Sequence, residues 1–270
     1  MLEAFTEEFV KLYDSDNFPN FAIIQGVRGS GKSHILETLA TSILNGHKVF
    51  VGNSVDEVRN MIQNAYKVAG ETTYFIDNAD TLSMQAKSAL LKVTEEPPKK
   101  ARIVIAVEDT NNLIDTIISR GTVFRVPKYK STEILSYCID DLKATTSDAD
   151  IVARLVDTPG DAKLLLDSNP KEFYEFVKQV YDCIDTVSGS NSFKIADRIN
   201  FKDDAEKYDL ELFWSAYMTV CLEHMWDEMN TITQEILVTS KCKQKLRVKG
   251  INKSAVFDEW ILNIRKVRMS

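Results

Sequence analysis

Apolar residues in the first half of the chain fall into short, nearly unbroken runs separated by longer amphipathic stretches. The runs are Phe21–Gln25 (FAIIQ), Lys48–Gly52 (KVFVG), Thr72–Asp77 (TTYFID), Arg102–Glu108 (RIVIAVE) and Thr122–Val126 (TVFRV). Each is short, rich in β-branched or aromatic residues and almost free of alternation, the pattern of a strand covered on both faces. Between them Ser33–Leu44, Val55–Ala69, Ser83–Glu96 and Asn111–Ser119 repeat their apolar positions at helical spacing. Ahead of the first run, Leu2, Phe5, Phe9 and Leu12 line one side of an acidic amphipathic helix. Strands alternating with helices predict an α/β layer with a five-stranded parallel sheet.

After Pro127 the strand pattern stops. Ser131–Leu142, Asp148–Leu155, Asp161–Leu166 and Lys171–Thr186 read as short helices, and Val187–Ser192 (VSGSNS) as a linker. Beyond it the pattern is helical again. Trp214, Tyr217, Leu222 and Met225, then Phe257, Trp260, Ile261 and Ile264, are the expected core faces. The expected organisation is three domains: 1–127, 128–188 and 189–270.

The strongest local signal sits between the first strand and the first long helix. Gly26–Ser33 (GVRGSGKS) satisfies GxxxxGK(S/T), with an apolar strand before it and a helical segment after it. Glycines let the backbone wrap phosphate oxygens without Cβ clashes, and successive N–H groups at a helix start make an anion nest. Gly26, Gly29, Ser30, Gly31, Lys32 and Ser33 are therefore the candidate ATP-binding residues, Lys32 supplying charge and Ser33 a hydroxyl to Mg²⁺. Asp77, at the end of the third apolar run, is the candidate Mg²⁺ carboxylate; the plainer reading is a residue capping its strand.

Composition narrows the partners. Apolar content of 44% and charged content of 27% suit an ordinary globular chain, and no apolar run reaches transmembrane length. The N-terminus lacks the basic start of a signal peptide, so a cytoplasmic protein is expected. The net charge of −7 argues against autonomous DNA binding and for DNA contact only within an assembly. Cys138, Cys183, Cys221 and Cys242 form no CxxC pair, and His34, His47 and His224 no HExxH pattern; reduced thiols and no zinc are expected. The basic stretches at Lys241–Lys249 and at the C-terminus read as solvated or inter-subunit faces, with DNA contact as the alternative.

Two further pieces name a family. Ala89–Pro98 (ALLKVTEEPP) and Leu113–Gly121 (LIDTIISRG) closely resemble the clamp-loader subunits of bacterial and viral replication, of the DNA polymerase III delta-prime and gamma type, at the family's spacing from the phosphate loop. The resemblance is specific through residues 21–127. It extends more weakly to Gly160–Asp167 (GDAKLLLD), like a sensor-2 helix, and to Ile251–Leu262, like the last collar helix. It implies an AAA+ P-loop domain, a small helical lid domain and a C-terminal all-helical collar domain that holds a pentameric ring on a sliding clamp. ATP, Mg²⁺, sister subunits, the clamp and primer-template DNA are the ligands and partners it implies. The same resemblance gives Arg120 the role of a finger toward the neighbouring subunit's ATP, and Lys163 that of the sensor-2 cation. Read as residues alone, Arg120 caps a helix and Lys163 is a solvated helix position. Lys87 and Lys92 are the implied DNA-tracking candidates, and the compact, diverged motifs lean towards a viral origin.

The chain also departs from the family. The residue after the magnesium aspartate is usually Glu and here is Asn78, which can orient a water but cannot take its proton. Asp80 is close enough in sequence to compensate. The sensor-1 position, commonly Thr or Asn, falls at Val107 or Glu108. Two alternatives to a clamp-loading ATPase subunit follow: a stator that donates Arg120 without hydrolysing ATP, and a free-standing AAA+ helicase loader.

Overall fold

A computed structural model describes residues 3–184, 195–201, 207–224, 229–246 and 250–269. Leu2, Met225, the predicted linker at Val187–Ser192 and residues 247–249 of the basic stretch lie outside the described residues. The chain divides into two compact units, Met1–Tyr129 with Thr158–Gly160, and Lys130–Asp157 with Asp161–Ser270.

In the first unit the order is α1 (Glu3–Asp14), β1 (Phe21–Gln25), α2 (Lys32–Thr38), β2 (His47–Val51), α3 (Val55–Ala65), β3 (Thr72–Ile76), α4 (Met84–Glu95), β4 (Ala101–Val107), α5 (Asp115–Ile118) and β5 (Thr122–Arg125). A π-helical turn, Leu39–Ile43, continues α2. The five strands form one sheet in the order β2-β3-β4-β1-β5, and every pair is parallel. The unbroken apolar runs have a direct cause. Successive side chains point to opposite faces, and both faces are covered. Ile23, Ile76, Ile103 and Ile105 pack with Val58, Met61, Leu90 and Val93 of α3 and α4. Ala22, Ile24, Phe75 and Val104 pack with Phe5 and Phe9 of α1 and Ile35 and Leu36 of α2. Each fully buried isoleucine contributes roughly 1.5–3 kcal/mol.

Helix starts follow local chemistry. Ser54 and Glu57 form a reciprocal capping box at α3, and the Ser83 hydroxyl accepts the Ala86 N–H at α4. Two expectations need correction. The run at Lys48–Gly52 is not buried: β2 is an edge strand, Phe50 is 56% exposed, and its ring stacks on Phe75 at 5.0 Å. An apolar run cannot by itself tell an edge from a centre. The helix expected at Asn111–Ser119 is broken into a 3-10 turn, Thr110–Asn112, and the short α5. Here the Asp109 side chain takes the Asn111 N–H, a local bond that competes with helix continuation. Leu113 and Ile114 between the pieces are extended.

The second unit contains α6 (Ser131–Ser136), α7 (Thr146–Leu155), α8 (Pro159–Asp167, whose first residues group with the first unit), α9 (Pro170–Cys183), α10 (Leu210–Glu223), α11 (Met229–Lys245) and α12 (Lys253–Met269). A two-residue parallel pair, Ile199–Asn200 with Tyr208–Asp209, precedes α10, and the Asp209 carboxylate caps that helix. The core is aromatic. Phe213 and Tyr217 meet the Trp260 ring edge-on at 5.6 and 4.9 Å, and Trp214 lies alongside at 6.1 Å. Leu222, expected in the core, is 51% exposed. It lies roughly 140° round the helix from Tyr217 at about 100° per residue, so the buried face passes through Val220 and Cys221 instead.

Beneath the rings lies a polar cluster that the sequence pattern did not signal. The Arg268 Nε donates to Glu235 Oε1 at 2.7 Å, and its Nη1 to the Tyr181 carbonyl at 2.6 Å. The Tyr217 hydroxyl donates to Glu235 Oε2 at 2.8 Å. Glu235 is 1% exposed. Burial, with the Glu235 charge as a further cause, pushes the Tyr217 phenol and the Cys221 thiol well up. Arg268 is thus a core residue, not part of a basic surface. Among the described residues no helix is long and apolar enough to cross a membrane.

Candidate nucleotide-binding site

All five strands run the same way, so the turns after β1, β3 and β4 emerge at one edge of the sheet, where α/β folds hold their ligands. Gly26–Ser33 leaves β1 there. Gly29 and Gly31 adopt φ of 76° and 88°, which L side chains resist, so the loop requires glycine at these two points. Lys32 is 6% exposed, and its ammonium donates to the Gly26 and Val27 carbonyls at 2.9 and 3.1 Å. Burial lowers the Lys32 proton affinity, against the opposing pull of Glu108, Asp80 and Asp77 in that order. The Ser33 hydroxyl donates to Asp77 Oδ2 at 2.5 Å. A hydroxyl beside a carboxylate is a hard-oxygen pair suited to Mg²⁺. Ser30 Oγ is buried without a hydrogen-bond partner, packed against Gly26.

Three braces hold the loop, and two of them come from residues that sequence reasoning missed. The Tyr129 hydroxyl donates to the Ser30 carbonyl at 2.7 Å. The Gly160 N–H donates to the Gly29 carbonyl at 2.9 Å. A Cβ on Gly160 would sit 2.6 Å from the Gly29 Cα, so only glycine fits. The third brace is the Gly26 N–H on the Val107 carbonyl at 3.1 Å.

Beyond Asp77, Asn78 turns the chain in the left-handed region at φ 50°, and its N–H donates to Asp77 Oδ1 at 2.8 Å. Its carbonyl accepts from the Thr81 hydroxyl at 2.7 Å, and Asn53 Nδ2 reaches Thr81 Oγ1 at 3.0 Å. Asp80 Oδ2 accepts the Glu108 N–H at 3.2 Å, while Asp80 Oδ1 is buried without a partner. Of the two positions considered for sensor 1, Val107 is fully buried in β4 and Glu108 is exposed at its end.

The remaining predicted residues are not gathered here. The Arg120 guanidinium donates to the Thr116 carbonyl at 2.7 Å, capping its own short helix, and pairs with Glu95 at 3.1 Å. Lys163 is exposed on α8 and belongs to the second unit. Lys92 is exposed, but Lys87 is only 7% exposed and donates to the Asp80 and Asn112 carbonyls at 3.0 and 2.6 Å. A buried lysine engaged this way is not open to a DNA backbone, which corrects its expected role. Among the described residues no group of three or more His, Cys, Asp or Glu side chains is arranged to hold a metal.

A family described as DNA polymerase III, delta subunit, matches residues 8–130. The Replication factor C small subunit of Methanocella arvoryzae is 29% identical over 142 residues, 48% of this chain and 44% of that protein. DNA polymerase III subunit gamma/tau of Mycoplasma genitalium is 26% identical over 171 residues, 52% of this chain and 29% of that protein. The chain thus spans less than half the length of these curated relatives. Among solved structures, a DNA polymerase III gamma subunit-related protein of Thermotoga maritima aligns with a TM-score of 0.50 and 14% identity, covering 96% of this chain and 99% of that one. The RuvB Holliday junction branch migration motor of the same organism aligns at 0.52 and 14%, covering 97% of this chain and 87% of that one. At such identity these two likenesses speak for the AAA+ fold alone.

Proposed function

We propose that this chain is a clamp-loader-type AAA+ protein, an ATP-binding subunit of a complex that loads a sliding clamp onto primed DNA; the family match over residues 8–130 and the replication relatives support the reading. The observation that supports ATP is the Gly26–Ser33 loop, with Lys32 turned into it and Ser33 against Asp77. Phosphate oxygens take the places on Lys32 now held by the Gly26 and Val27 carbonyls. The backbone N–H groups of Gly29–Ser33 add the donors, and the following helix start adds favourable potential. Ser33 and Asp77 would hold Mg²⁺, which neutralises charge on the phosphates when bound.

In this reading residues 128–188 act as the lid, with Lys163 as its phosphate-sensing cation, and residues 189–270 as the collar joining sister subunits. Arg120 serves the neighbouring subunit's ATP. To do so it must release Glu95, a half-exposed ion pair worth only about 0–1 kcal/mol. Its bond to Thr116 keeps the guanidinium at the helix end meanwhile. Asn78 favours a second reading, a stator that binds nucleotide and donates Arg120 without turnover.

The test is direct. Mg-ATP binding is measured by calorimetry on the full chain and on Lys32→Ala, and native mass is measured with clamp and sister subunits present. Tight binding lost in Lys32→Ala, with recovery in a multi-subunit species, is expected. No Mg-ATP uptake by the unaltered chain refutes the nucleotide reading; a chain that never joins clamp or sister subunits revives the free-standing loader.

A further inference from the structure

Two departures from the family pattern are complementary. The end of β3 has an amide, Asn78, where a carboxylate is usual. The end of β4 has a carboxylate, Glu108, where a small polar group is usual. β4 lies between β3 and β1 in the sheet. Ile76 pairs with Ile105, and Gln25 with Val107, so the ends of the three strands are in step. Neighbouring strands lie about 5 Å apart, which sets Glu108 one strand from Asp77 on one side and one strand from the phosphate loop on the other.

Its backbone is fixed on both sides. Val107, the residue before it, accepts the Gly26 N–H, and its own N–H is held by Asp80 Oδ2 at 3.2 Å. The side chain is exposed at the sheet's ligand edge. Among the acids that act on buried Lys32, Glu108 acts most strongly, ahead of Asp80 and Asp77. Its place at the end of β4, between Asp77 after β3 and the phosphate loop after β1, puts this carboxylate beside the Mg-ATP site of the reading above.

We infer that Glu108 is the general base of ATP hydrolysis and Asn78 the amide that orients the attacking water, the two roles having exchanged strand ends. This rests on the Mg-ATP reading above and extends it from binding to turnover. In the step, the water oxygen bonds to the γ-phosphorus, and the bond from that phosphorus to the β–γ bridging oxygen breaks. The bridging electron pair leaves with ADP, and the water proton passes to the Glu108 carboxylate, which later returns it to solvent. Asn78 offers both an acceptor and a donor to the water and takes no proton. Its left-handed turn directly after β3 is pinned by Thr81 through the backbone carbonyl, and the residue is exposed.

The experiment compares four full-length proteins: the unaltered chain, Glu108→Gln, Asn78→Glu/Glu108→Asn, and Lys32→Ala as the binding-deficient reference. Each is assembled with its sister subunits. Mg-ATP affinity is measured by calorimetry, single-turnover cleavage by acid quench, and the nucleotide retained after gel filtration is identified. Glu108→Gln is expected to bind Mg-ATP as tightly or more tightly, since a negative charge near the γ-phosphate is gone, and to retain it as ATP. Its cleavage rate falls by about 10²–10⁴-fold, the usual share of general-base catalysis. The exchanged variant regains cleavage to within about tenfold, because the carboxylate returns to the other strand end. Cleavage by Glu108→Gln within about threefold of the unaltered chain overturns the assignment, as does loss of ATP affinity together with cleavage. An exchanged variant no faster than Glu108→Gln overturns the exchange. An unaltered chain that holds ATP intact establishes the stator and overturns this inference alone. One that takes up no Mg-ATP overturns the nucleotide reading beneath it.

Discussion

Arg268→Met tests the second unit's polar core most sharply. In the folded chain Glu235, 1% exposed, has its charge met by Arg268 through Nε at 2.7 Å and Nη2 at 3.2 Å. The Tyr217 hydroxyl is its remaining strong donor, and the Cys221 thiol a weak one at 3.5 Å. The guanidinium also satisfies the Tyr181 carbonyl and stands 4.3 Å from that ring's centre. Methionine fills most of the volume but leaves a buried carboxylate without its counter-charge and a carbonyl without a donor. Breaking a buried pair from one side costs about 3–5 kcal/mol. For a unit of this size that is roughly 10 °C in Tm. The assay is convenient because Trp214 and Trp260 are buried in the second unit and the first unit's sequence contains no tryptophan, so tryptophan fluorescence reports the second unit's unfolding. Removing both charges, Arg268→Met with Glu235→Leu, is expected to regain most of the loss, since an apolar pair avoids the desolvation that the ion pair incurs. An Arg268→Met protein melting within about 2 °C of the unaltered chain would refute the reasoning, because it would mean that Glu235 finds water or protonates at little cost.

Three further outcomes are expected. Gly160→Ala, whose Cβ would press 2.6 Å from the Gly29 Cα, should weaken Mg-ATP binding by about tenfold or more through a displaced loop; unchanged affinity in calorimetry would show that the brace is dispensable. Tyr129→Phe strips the donor from the buried Ser30 carbonyl and should cost about 1–3 kcal/mol in urea unfolding of the first unit, an effect absent if water replaces the hydroxyl. Of the four thiols, exposed Cys183 should react first with an aromatic disulfide reagent at pH 8, while Cys138, Cys221 and Cys242 wait for unfolding. Burial both shields these three and pushes their proton affinity up, and peptide mapping of the labelled chain checks the order.

The sequence made the sheet legible where both faces are covered. FAIIQ, TTYFI and RIVIAV carry unbroken apolar stretches at their centres because α1 and α2 cover one face and α3 and α4 the other. The same rule misplaced KVFV, since apolar content records that a strand pairs and not how many neighbours it has. The phosphate loop was legible because its chemistry is contiguous: glycines, lysine and serine act within eight residues and need no distant partner. Its braces were not, because Tyr129 and Gly160 reach Ser30 and Gly29 only through the tertiary fold. The ion pair of Arg268 and Glu235 was hidden for a related reason. Charged letters on amphipathic helices read as surface until a partner is seen buried beside them. Lys87 misled in the same way.

The sheet order also bears on how the chain is made. β1 leaves the ribosome well before its two neighbours, β4 and β5, which begin at Ala101 and Thr122. At roughly 5–20 residues per second, FAIIQ waits several seconds before either exists. During that interval an apolar pentapeptide has no native edge to join, and non-local parallel pairing is slow to begin with. Synthesis at lower temperature, or with trigger-type chaperones in excess, should therefore raise the soluble yield of this chain more than it would for a protein whose central strands are neighbours in sequence.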